Sequence, residues 1–586
     1  MKNRGYNLRR RMWAKPALPR NRRGLVLLTV IVLVGLAISL ALAMVSLSNQ
    51  QTRIRGRYEV YKDEFAACEE ALNKAYAHIQ FLITTVGTDT LDSDIAAIQP
   101  PTVDGYTFDT FTVTKDATGE NPIVSNPGEW NETTQYSQEY YINVTAVKTG
   151  GTAGRYDHPG VSLMQTLAVV REPLFNFAIF YDPIMELAPG GDMDIIGKIH
   201  GNGDFYIQAG SYLRCHDFVT AAGEIRHGRH PDAIGQGTSN GDVWLTYDGG
   251  DHYENMENSD GSWLESTDAD WLAESADRWD NYVQANVDPL NLPIPTSSDP
   301  HEIIERADAS DTLSMQSQKF EYKAGLKIVK EGSNIVGYDG EGNVVNLTYV
   351  ENGQTKKVYG TSTFYDARGH DYGAGGTTVS SLDIYVDRMV AQGIYPDNGF
   401  LYVSNEDSGS QPGVVRIRNA DELPTTSVDG FSIATDDSIY IEGDYNTTNK
   451  TASMVAGDAL YVLSNSWRDS YSTNYGSRYA SDTRINAVCI QGIVPTDVHD
   501  SYSGGVENYF RLLEQWDNGS DLIFNGSIIC LYYSENTGKW IYGNPQYTKP
   551  GRIWSWDPDL ATSGGPPGVP DVMTIERKSW SMESGS

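Results

Sequence analysis

Five histidines fall close together near the middle of the sequence: His200, His216, His227, His230 and His252, with HGRH placing two of them three residues apart. Two imidazoles at that spacing on a helix could share a transition metal. Here the neighbours are Gly-rich and turn-like, so surface or rung-stacked histidines are the competing reading. Acidic runs raise a second chemistry. NSDGSW (258–263), STDAD (266–270) and NEDSGS (405–410) offer oxygen ligands for calcium. None places them at the fixed positions of an EF-hand loop, and solvated acidic loops are expected instead. A pair of carboxylates could hydrolyse a glycosidic bond, but their spatial separation is not written in the chain. HExxH, P-loop and Cys–His signatures are absent. The four cysteines, Cys68, Cys215, Cys489 and Cys530, show no CxxC spacing. A Cys489–Cys530 bridge outside the cytoplasm and two buried free thiols are both open. No catalytic residue, metal ligand or cofactor is assigned, and a non-enzymatic protein is expected.

The elements that would carry any such chemistry follow from composition. The chain has 586 residues, enough for two to four domains, with 36 Tyr, 57 Gly and 12 Trp. Aromatic and β-branched residues broken by turn formers predict many short strands. The formal charge is -33, from 44 Lys and Arg against 77 Asp and Glu. Nine of those basic residues lie within residues 1–23, which hold no acid, so the rest of the chain is more acidic still. Such a body repels nucleic acid, which excludes it as a partner.

Residues 25–47 carry no charge and, as a helix, are long enough to cross a bilayer. A signal-peptide core is shorter, and the basic leader 1–24 fits a cytoplasmic side. No proline occurs between Gly24 and Pro100. Ile54, Tyr58, Tyr61, Phe65, Cys68, Leu72, Ala75 and Ile79 recur at steps of four and three, a stripe along one helix face. One helix is therefore predicted over 25–85, with 25–47 in lipid and a packing stripe beyond.

The segment RRGLVLLTVIVLVGLAISLALAMVSLSNQQTRIRGRYEVYKDEFAACEEALNKA resembles the N-terminal domain of PilX-type minor pilus assembly proteins. The match rests on Arg23-Gly24, the apolar core and FAACEEAL (65–72). The resemblance implies prepilin-type processing after Gly24, leaving Leu25 as the mature N-terminus. It implies other pilin-like subunits as partners through the helix, and the lipid bilayer. Typical prepilins carry a Glu five residues past the cut; here that residue is Thr29. The departure suits a tip or priming subunit rather than a repeating one. The implied place is the bacterial inner membrane, single-pass, with the body in the periplasm or on the cell surface or pilus. A large Tyr- and Trp-rich body would serve adhesion, with a glycan or surface protein as ligand. The rival is a membrane-anchored envelope enzyme acting on polysaccharide.

The predicted fold is α+β to mainly β. Residues 86–172 read as a small antiparallel pilin-like sheet, with strands at 106–114, 139–147 and 161–170. Residues 173–586 read as a β-rich extracytoplasmic domain. Within it GDFYIQAGSY, DSIYIEGDYN and DALYVLSNSW resemble one another, and Ile439-Tyr440-Ile441 precedes Leu460-Tyr461-Val462 by 21 residues. That period suits one coil of a parallel β-solenoid with insertions; a β-sandwich is the alternative. The acidic stretch 248–300, with Trp263, Trp271 and Trp279 eight apart, reads as an insert with a helical face. Residues 320–360 read as hairpins.

Overall fold

The computed structural model describes residues 22–86, 94–95, 97–126, 129, 131–149, 160–233, 236–370, 375–406, 411–496 and 502–583. Most of the basic leader, residues 1–21, lies outside them. The N-terminal element is one uninterrupted helix, α1, Arg22–Val86. At 1.5 Å per residue its length is about 100 Å. From Leu25 to Leu47 its large apolar side chains are open, with Leu25 70%, Leu33 59% and Leu47 60% exposed.

The second half of α1 packs on a five-stranded antiparallel sheet. Its strands are β1 (Tyr106–Lys115), β2 (Asn121–Ser125), β3 (Thr133–Lys148), β4 (Val161–Pro173) and a C-terminal strand, Asp571–Glu583. The order is β1-β3-β4-C-terminal strand, with β2 also on β3. Alternation puts Ile142, Val144 and Ala146 of β3, and Leu163 and Leu167 of β4, against Cys68, Leu72, Ala75 and Ile79 of α1. The expected stripe is covered only in this lower part. Ile54 and Tyr58 are 67% and 66% exposed. The reason is the reach of the sheet: Asp63 and Glu64 bind Lys148 Nζ and its backbone N–H at 3.0 Å each, which is the sheet's rim.

Ala67, Ala71 and Ala75, four apart and all buried, let the helix lie close to the sheet. Ala71→Leu adds three carbons where no space exists, and is expected to cost about 1–3 kcal/mol by overpacking. Thermal unfolding of the purified variant measures it.

The C-terminal strand corrects the expected division at residue 173. Asp571–Glu583 pairs along the length of β4, from Asp571↔Pro173 to Glu583↔Ser162. The last strand therefore belongs with the stem, and the body between is bracketed by β4 and its neighbour. Alternation accounts for this: Met573 and Ile575 pack on the core under α1, and the Trp580 ring meets that of Phe65 at 6.2 Å.

The large strand-rich region between them is built on parallel ladders. One column of facing residues runs Leu326, Leu401, Ile433, Val455, Cys489, Ile528, Ile179, Ile199, Val219 and Val283. All ten are buried. The order shows the path. The chain enters in the middle at Phe177–Tyr181, winds outward to Val283–Ala285, and crosses back along the flank. It restarts at the far end with Leu326–Glu331 and winds inward to Asp521–Tyr533, beside its starting strand. Entry and exit at the middle deliver both β4 and the C-terminal strand to one stem sheet.

Ile439-Tyr440-Ile441 lies opposite Leu460-Tyr461-Val462, in the register the repeats suggest. The stretch 248–300 is not a simple insert. Tyr253–Asn255 pairs with Asp242–Thr246, and Val283–Ala285 supplies the end of the ladder. Only Trp271–Trp279 is helical; both ring systems are buried, 5.9 Å apart, while Trp263 lies outside that helix. Hairpins occupy 326–357, one closing on Asn352-Gly353, both at positive φ.

Candidate functional site

The structure gathers three kinds of site material: the stem, the histidines and the acidic groups of the body. Gly24 lies in the first turns of α1, and Leu25 and Thr29 follow on the same unbroken helix. Thr29 Oγ1 donates to the Leu25 carbonyl at 2.8 Å. The hydroxyl is thus satisfied inside its own helix and presents no charge to a neighbour. Among the described residues the apolar face around it is uncovered.

The five histidines of the sequence reading do not converge. His200 is rung-stacked, its ring lying 5.5 Å from Phe180 at 23°, with Nδ1 on Thr220 Oγ1 and Nε2 on Asn202 Oδ1. His216 bridges Asp194 and Tyr253. His227 lies flat on Trp263 at 3.6 Å, and burial pushes its pKa down to about 4. His230 packs edge-on to Tyr206, and exposed His252 pairs with Asp248. Each has its own aromatic or carboxylate partner and no shared centre. Of the calcium candidates, Asp260 spends a carboxylate oxygen on Ser262, and Glu265 N–H donates to Asp268, as local loop bonds; residues 407–410 lie outside the described residues. All four cysteines are free and buried. Cys489 faces Ile528 and Gln491 faces Cys530, so the ladder register separates the two thiols.

Sequence reasoning missed a different histidine. His301 sits in a short turn of 3-10 helix, Pro300–Ile303, capped by Asp299, whose carboxylate accepts the His301 N–H at 3.0 Å. This turn belongs to the segment crossing back along the flank. His301 Nδ1 meets Glu305 Oε1 at 3.0 Å and Nε2 meets Asp458 Oδ1 at 3.1 Å. Among the described residues, His301, Glu305 and Glu535 form the one group whose metal-capable atoms all lie within 4.8 Å of one another. The i, i+4 spacing of His301 and Glu305 was visible in the sequence. The third member lies over 200 residues away and was not.

Between the stem sheet and the first parallel strands of the body lies a cleft of about 1010 Å³ lined by Tyr76, Glu172, Lys198, His200 and Arg577 among others. Elsewhere two buried carboxyls stand out. Burial pushes Glu507 up to about 7 despite the Ala188 N–H at 3.1 Å, and likewise Glu514 up to about 7 despite bonds from Ser464. A raised carboxyl pKa means the folded state keeps a proton the unfolded chain has released, so stability falls as pH rises from about 4.5 to about 7. Glu507→Gln is expected to be more stable than the parent at pH 8, with the gain vanishing near pH 4.5. Denaturant melts at the two values check it.

No protein-family model and no curated protein sequence matches the chain. Among solved structures, it is similar to the competence-associated pilin ComZ from Thermus thermophilus, at 11% identity and a TM-score of 0.29, over 90% of this chain and 96% of that one. A likeness at that score does not assign the fold.

Proposed function

We propose that the chain is a minor pilin-like subunit that enters a type IV pilus or related filament through α1 and carries a large adhesive body at the tip. The observation that carries this reading is the division of labour along one continuous helix. Its first half is apolar and uncovered, and its second half is covered by a small sheet. An uncovered apolar rod is stable in lipid or against other such rods, not in water. The absence of a carboxylate at Thr29 favours a position where no further stem needs pairing. A body this bulky and acidic suits an end rather than a repeating shaft.

We read the stack of parallel coils as a β-solenoid, a scaffold that holds loops on a stiff frame without enzymatic chemistry. Its exposed aromatic residues suit ligand contact. Tyr471, Tyr479 and Tyr542 are 45%, 54% and 48% exposed, and Trp540 stacks on Tyr542 at 6.2 Å and 8°. Flat rings of this kind bind the apolar faces of sugars or partner side chains.

Shearing separates filaments from cells. The chain is expected in the sheared filament fraction with the other subunits. Recovery only in the membrane fraction, under conditions where filaments form, would refute the assignment.

A further inference from the structure

We propose that His301, Glu305 and Glu535 form a site for one divalent transition-metal ion of the zinc class, built where the crossing segment docks on the coils. A metal-binding imidazole commonly donates its second ring N–H to a carboxylate, which fixes the tautomer and aims the free nitrogen. Asp458 performs that role. It is fully buried and accepts His301 Nε2 at 3.1 Å. Its orientation is set by three other groups: Oδ1 takes the Glu535 N–H at 2.7 Å, and Oδ2 takes Ser534 Oγ at 2.5 Å and the Asn536 N–H at 2.9 Å. The turn that carries Glu535 is thereby pinned to the same carboxylate that orients the histidine. Asp458 is held in turn by its own backbone N–H on the Asp437 carbonyl.

The result is Nδ1 facing Oε1 of Glu305 at 3.0 Å, with one ligand atom each of His301, Glu305 and Glu535 within 4.8 Å of one another. Ligands about 2 Å from a shared ion lie about 3 Å apart from each other, so this pair needs little movement to coordinate. One nitrogen and two carboxylate oxygens suit zinc-class ions better than calcium, which takes oxygen ligands only. Solvent can complete the shell, since Glu305 is 44% exposed.

Charge favours an ion as well. No lysine or arginine pairs with Glu305, Glu535 or Asp458 among the described ion pairs. Asp437 packs close to Asp458; among the described ion pairs His301 is the partner of Glu305 and Asp458, with Arg511 acting on Asp458 from further off. A divalent ion relieves that excess of negative charge where the ring offsets part of it.

The test uses the full chain in detergent, stripped with chelator and titrated calorimetrically with zinc chloride and, separately, calcium chloride. One equivalent of zinc is expected to bind, with the melting temperature rising in step, and calcium is expected not to compete. Glu305→Gln with Glu535→Gln removes two ligands at open positions and is expected to melt like the parent without metal. In it, zinc binding is expected to weaken by about tenfold or more. His301→Asn serves as a second variant, judged by binding only if it melts cooperatively. No zinc uptake by the parent, tighter calcium than zinc, or unchanged zinc affinity in the double variant would overturn the assignment.

Discussion

Arg416→Met is expected to destabilise the body by about 3–5 kcal/mol, whereas Arg368→Met, in the same strand-rich region, leaves stability unchanged or raises it. Both guanidinium groups are fully buried. They differ in their partners. Arg416 forms a two-pronged pair with Asp383 at 2.9 Å on each oxygen, and also reaches Asp469 at 2.7 Å, Glu442 at 2.9 Å and Ser362 Oγ at 2.6 Å. Register explains the geometry, because Asp383 and Arg416 face one another on adjacent parallel strands. Removing the cation leaves Asp383, itself almost fully buried, without compensation, and that desolvation is what the variant suffers. Among the described residues Arg368 has no hydrogen-bond acceptor at Nε, Nη1 or Nη2; it faces the Tyr547 ring at 5.3 Å. Its buried nitrogens lack hydrogen-bond partners among the described residues, so an apolar chain of similar length removes a cost. Denaturant unfolding followed by tryptophan fluorescence compares the two. Equal destabilisation would show that packing volume, not charge pairing, dominates both positions.

The second large effect concerns the stem. Leu33→Asp with Val34→Asp places two carboxylates in the middle of the uncovered half of α1, where each costs about 3 kcal/mol to insert into lipid. The double variant is expected to shift from the membrane fraction to the soluble fraction. The sheet and body should be intact, because the folded contacts of α1 begin about 25 residues later, at Val60. Far-UV and near-UV circular dichroism of the soluble variant check the second half of that statement, and carbonate extraction checks the first. Retention in the membrane would mean that something other than the helix anchors the chain.

The stem was legible in the sequence because its signals are local. An uncharged run, a missing proline and a period near 3.6 need no knowledge of the rest of the chain. The lower stripe residues Cys68, Leu72, Ala75 and Ile79 are buried, and the three predicted strands pair as neighbours. What was not legible was the limit of the sheet, which leaves Ile54 and Tyr58 uncovered. The joining of Asp571–Glu583 to β4 was equally hidden. It spans some 400 residues, and alternation in a strand says nothing of which edge it meets.

The body shows the same division. The 21-residue step from Ile439 to Leu460 was read and is a ladder step. A clearer period went unnoticed: Ile179, Ile199 and Val219 face one another at steps of twenty, as do Met185, Phe205 and Ile225. These are single apolar residues within short strands of unlike sequence, so composition hides them until the spacing is counted. The candidate histidines failed for a related reason. Nearness in sequence put His216, His227 and His230 on different strands or turns, each aimed at its own aromatic neighbour. His301 joined its carboxylates only because the crossing segment lies against Asp458 and Glu535, both far away in the sequence.

The most direct test of the proposed route into a filament is the mature N-terminus of the chain recovered from cells, read by N-terminal sequencing and intact mass. The account predicts a chain beginning at Leu25, cut after Gly24, with residues 1–24 gone. A mature chain that retains Arg22, Arg23 and Gly24 would contradict it and leave α1 as a simple tether.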